Sequence, residues 1–152
     1  MSAQSIYDTA PLGATVKFSD GQPKPPARFT KKVAAWERVN GSGRLIRKSP
    51  PWVRGTFTGT ASITLHEGNL SSEGIVLITI HRVHNVDSKL RFDVIAVPRP
   101  GSCRIVQPHG DSLELLHIAA DHASAEAWLR AHRYSSAPIE LVELEPEECA
   151  AA

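Results

Sequence analysis

The sequence predicts an α+β domain: a mostly antiparallel sheet of four to six strands, packed by one main helix and preceded by a basic N-terminal arm that carries a second, shorter helix. Three observations point there. From Gly55 onward, apolar residues recur with period two in runs separated by glycine, proline and Asp/Asn turn signals. One stretch, 122–133, instead sets Ala125, Trp128, Leu129 and His132 at helical spacing. The basic side chains gather toward one end: residues 1–54 hold ten against three acids, a net of +7, and residues 55–152 hold seven against thirteen, a net of −6.

The strands follow from alternation and their boundaries from turn chemistry. Val16 and Phe18 flank Lys17 in a short strand at 14–19 that ends at Asp20-Gly21. Strands are expected at 62–66, 75–85, 90–97 and 103–107, with turns at Glu67-Gly68-Asn69, Asp87-Ser88-Lys89 and Pro98-Arg99-Pro100-Gly101. The run Ile75-Val76-Leu77-Ile78-Thr79-Ile80 is almost continuously apolar, which predicts a central strand covered on both faces. Short connections favour an antiparallel meander. Residues 113–119 alternate as a fifth strand, and 139–144 read as a last strand at the sheet edge. The main helix at 122–133 takes Asp121 as its cap.

In the N-terminal third, Gln22-Pro23-Lys24-Pro25-Pro26 runs extended on the surface, because proline removes backbone donors. Thr30 is placed to cap a short helix from Lys31, with Val33 and Trp36 on one face and Asn40-Gly41 as a left-handed exit. The loop Asn40-Gly41-Ser42-Gly43-Arg44 has glycines but follows a helix instead of a strand, the wrong context for a phosphate-cradling loop.

Length and composition bound the function. With 152 residues, 41% hydrophobic and 22% charged, the chain can bury a core of its own. No apolar run is long enough to span a bilayer as a helix, and residues 1–15 lack the basic and apolar regions of a secretory signal, so a cytoplasmic protein without membrane contact is expected. Two cysteines, Cys103 and Cys149, do not make a disulfide scaffold or a four-cysteine zinc site.

The leading functional expectation is a non-catalytic binding protein. In it, Lys31, Lys32, Arg38, Arg44, Arg47 and Lys48 hold nucleic-acid phosphates with low sequence specificity, while Trp36 or Trp52 stacks on an unpaired base. The alternative is a protein-interaction or self-assembly module, in which the basic arm meets an acidic surface of a partner or of a second copy in a homodimer. A third class is a cysteine-dependent enzyme using Cys103 as nucleophile, His109 as base and Asp111 to orient it. No cofactor or metal is expected. His81 and His84 leave opposite faces of their strand, and His117, Asp121 and His122 have no recognised ligand spacing.

Overall fold

The computed structural model describes residues 1–132 and 137–142. Arg133, residues 143–144 of the last expected strand, and Cys149 lie outside the described residues. Among the described residues, an eight-stranded antiparallel sheet, curled into a half-barrel, carries the fold together with three helices and a separate two-stranded ribbon.

The chain opens with helix α1 (Ala3–Thr9), whose first turn is capped by Ser2: its hydroxyl accepts from the Ser5 amide at 3.1 Å. α1 buries Ala3 and Ile6, followed by Ala10, against the sheet. No helix was expected there. Strand β1 (Thr15–Ser19) follows and buries Val16 and Phe18 while Lys17 faces out. Helix α2 (Thr30–Val39) begins one residue earlier than expected, so Thr30 is inside it and no side chain caps it. Nor is there a left-handed exit. Asn40 is extended, and the chain passes directly into strand β2 (Gly41–Ser49). Glycine is needed there for space: a Cβ on Gly41 would stand 3.0 Å from the Phe18 ring, and one on Gly43 would stand 2.9 Å from Leu65 Cβ.

β2 is the hub of the sheet. Along one edge it pairs β1 through residues 41–44 and then strand β9 (Ser112–Ala119) at Arg47. Along the other it pairs strand β5 (Ser62–Ser72). Strand β7 (Arg91–Ala96) lies outside β1, and strands β8 (Cys103–His109) and β10 (Ile139–Leu141) lie outside β9. The short ribbon is β3 (Trp52–Arg54) and β4 (Phe57–Gly59).

Two expectations change here. β1 and β2, both within the basic residues 1–54, lie in the interior of the sheet, so these residues are part of the main sheet instead of an arm that precedes it. Two helices, not one, pack on the sheet. α1 covers β5 and β7, and helix α3 (His122–His132) buries Ala125 and Leu129 against β8, β9 and β10. α3 is capped as expected, with the Ser124 amide 2.7 Å from an Asp121 carboxylate oxygen.

The third change is the largest. Strand β6 (Ile75–Asn85) forms an eleven-by-eleven-residue hairpin with β5, and among the described residues β6 pairs with no other strand. Glu67-Gly68-Asn69 does not turn; β5 runs on with a bulge at Glu67. The turn is Glu73-Gly74, both with positive φ (52° and 80°), the geometry of a tight two-residue hairpin loop. Ile75–Ile80 is therefore not a central strand covered on both faces. It is an edge strand whose every residue is exposed, Ile75 and Leu77 at 66%. No helix among the described residues is long and apolar enough to cross a membrane.

Candidate functional site

Antiparallel registration places residues of three strands in a row. Arg44 of β2 faces His66 of β5, and His66 faces His81 of β6. Directly paired residues point to the same side of a sheet, so a guanidinium and two imidazoles share one face. The two imidazole rings meet edge to face with centroids 5.7 Å apart. β6 and β9 are separated in the sheet by β2 and β5, yet both line the cleft above this row, so the sheet curves toward it. The cleft encloses about 440 Å³, within the usual size of a small-molecule site. Ile46 and Leu115 give it an apolar patch, and β9 adds Glu114 and His117.

Each polar wall has definite neighbours. Nε2 of His66 lies 2.9 Å from Oδ1 of Asn69, a contact in which the ring N–H donates to the amide oxygen. His81 titrates below the usual imidazole value of 6.5, first through burial and then through the neighbouring His66. His117 does the same, through burial and then His132 and Arg44. Its ring stacks on Trp128 with centroids 4.9 Å apart, and Trp128 stacks in turn on His132 at 4.2 Å. Glu114 is spoken for: one oxygen lies 3.7 Å from Arg47 and 3.2 Å from His109 Nδ1. Arg44, by contrast, has no carboxylate or hydrogen-bond partner among the described residues. The cleft therefore combines imidazoles, two of them held below their ordinary pKa, with one unneutralised guanidinium. Among the described residues no three His, Cys, Asp or Glu side chains are grouped to hold a metal ion.

The residues singled out in the sequence are dispersed. Lys31, Lys32 and Arg38 are exposed on α2. Arg44 and Arg47 lie on the cleft face of β2, Arg47 paired to Glu114. Lys48 is on the opposite face, near Asp8, and burial lowers its pKa from 10.5. Trp36 donates its indole N–H to the Gln22 carbonyl at 2.8 Å, with Lys24 over its ring. Trp52 sits on the β3–β4 ribbon with Arg54 over its ring. Arg28 and Lys32 both stand over Phe29. The interleaving of basic and aromatic residues is thus used within the chain, in cation–π pairs, and the eight candidates do not share one face.

Cys103 and His109 are not brought together either. They stand at opposite ends of β8, six residues and about 20 Å apart at the rise of a strand. Cys103 is buried under α3, whereas His109 is more than half exposed and Asp111 lies in the following turn. His117, Asp121 and His122 also diverge. The first lines the cleft, the second caps α3, and the third lies 3.5 Å from Glu126.

What the fold and cleft define is a curled antiparallel sheet with a histidine-lined cleft that also holds Arg44. The chain belongs to the family described as "Uncharacterised conserved protein UCP036055", whose pattern matches residues 1–146. No curated protein matches the chain, and no solved structure does.

Proposed function

We propose that the protein is a non-catalytic binding protein whose cleft holds a small anion bearing a carboxylate or phosphate group. The observation that carries this reading is the Arg44–His66–His81 row with an unpaired guanidinium at its end. Arg44 supplies the fixed charge and a planar pair of donors suited to such an oxyanion. His81 and His117 add hydrogen bonds whose strength is tunable, because an anion stabilises the imidazolium. Binding then takes up protons, and affinity rises as pH falls from 8 toward 6.

Calorimetric titration with inorganic phosphate and with citrate tests this. Arg44→Ala should weaken binding by tenfold or more, the loss of a charge-assisted hydrogen bond worth about 1.5–3 kcal/mol. Absence of heat with either probe at millimolar concentration, or an unchanged affinity in the variant, refutes the reading. A single-stranded oligonucleotide serves as a third probe. If it binds and Arg44→Ala leaves that binding intact, the phosphates are being held elsewhere, with exposed Lys31 and Lys32 on α2 the place to look.

A further inference from the structure

The β5–β6 hairpin breaks the rules by which a soluble sheet ends. Natural edge strands are kept short, charged, interrupted by proline or covered, because their open backbone groups recruit other strands. β6 is eleven residues long and contains no proline, and its segment Ile75–Ile80 carries no charge. Nothing in the described chain covers it. At its outer end Leu70, Ile75, Val76, Leu77 and Ile78 are each more than half exposed, while Ile63 and Leu65 at the root of the same hairpin are fully buried.

We infer that this hairpin is a homodimer element, buried against the same hairpin of a second copy about a two-fold axis. The occupant follows from three features. An uncharged apolar ribbon with an open edge is complementary to itself: apolar surface meets apolar surface, and unpaired backbone meets unpaired backbone, as an isologous interface requires. The hairpin's ionic groups do not oppose such contact. Glu67 and Arg82 neutralise each other within it at 2.7 Å, nearer its root, and Glu73 is confined to the turn. The exposed area points the same way. Leu70, Ile75, Val76, Leu77 and Ile78 present several hundred Å² of apolar surface over the two faces of the ribbon, at the upper end of what a monomer leaves open. The sequence does too, since Ile75–Ile80 has the composition of a strand covered on both faces and none of the described residues covers it.

Sedimentation equilibrium of the full chain, from 1 to 100 µM, is the test. The wild type should sediment at twice its 16.5 kDa mass, and Ile78→Lys at the monomer mass with an unchanged far-ultraviolet dichroism spectrum. A wild-type monomer throughout that range overturns the inference, and so does a wild type that remains monomeric yet binds lipid vesicles. A dimer that persists in Ile78→Lys also overturns it, because the interface would then lie elsewhere. Should Ile78→Lys fail to fold, amide exchange of the wild type decides: protection of residues 75–80 that rises with protein concentration supports the dimer, and equal exchange at 1 and 100 µM refutes it.

Discussion

The two ends of the β5–β6 hairpin use similar side chains for opposite ends. At the root, Ile63 and Leu65 join Val16, Phe18, Leu45 and Phe92 in a cluster with no exposed surface, closed from above by Ile6 of α1. At the tip, Leu70 and the run from Ile75 to Ile80 stand in solvent. Apolar content does not separate these regions; the presence of a covering layer does. A strand is buried only if the chain provides something to lay on it. Among the described residues α1 and α3 do this, and neither reaches the tip.

The comparison breaks most sharply at the aromatic pair. Phe18→Ala empties a site where the ring contacts His84, 4.7 Å between centroids, and carries Arg82 over its face. The expected loss in urea denaturation is about 3–5 kcal/mol, the cost of an aromatic deletion in a packed core. Leu77→Ala, measured at a concentration where one copy is present alone, should change stability by no more than about 0.5 kcal/mol, as exposed substitutions do. Equal losses at the two positions would show that the tip is covered within a single chain.

Glycine gives a second contrast of smaller size. A methyl at Gly43 would lie 2.9 Å from Leu65 Cβ and 3.0 Å from the His66 carbonyl oxygen, neither of which can swing away. Gly43→Ala should cost about 1–3 kcal/mol by overpacking. It should also disturb phosphate or citrate binding, because the displaced strand carries His66. Gly68, further out on the hairpin, has nothing within 4 Å of a built Cβ and no positive φ. Gly68→Ala should be near neutral in the same denaturation series. A loss there comparable to that at Gly43 would mean that the outer hairpin is as crowded as its root.

The same contrast explains what was legible beforehand. Alternation and turn residues located most strands of the main sheet, and the 3.6-residue spacing of Ala125, Trp128 and Leu129 located α3. Helix α1 was missed because its apolar content reduces to Ala3, Ile6 and Tyr7 within seven residues, too short for a periodic signal. The β1–β7 pairing joins residues more than seventy apart, and local pattern carries no information on such contacts. The cleft was hidden by a turn. Glu67-Gly68-Asn69 has better turn chemistry than Glu73-Gly74, and a hairpin closed there leaves His66 at its end, with nothing to set it opposite His81. Taking Glu73-Gly74 as the two-residue loop and counting back does set His66 against His81. The bulge at Glu67 and the extra residue Leu77 lie on opposite strands and cancel in the register.

The finest test of root against tip is a pair of histidines three residues apart on β6. His84 is buried at the root, its ring 4.7 Å from Phe18 and 5.2 Å from Phe92, and its Nε2 has no hydrogen-bond partner. Burial lowers its pKa below 6.5; Arg82 adds to the shift and Glu67 opposes it. The folded protein therefore resists a proton that the unfolded chain accepts. Stability is complete above pH 6.5 and declines as pH falls through that value, until His84 is protonated in the folded state too. His81, exposed toward the tip, is shifted in the same direction by a weaker burial. Urea denaturation of His84→Leu between pH 8 and 5 should show a flatter decline than the wild type, and His81→Leu a smaller flattening. If His84→Leu leaves the slope of the wild type intact, the root of the hairpin does not exclude water, and the division between a sealed root and an open tip is lost.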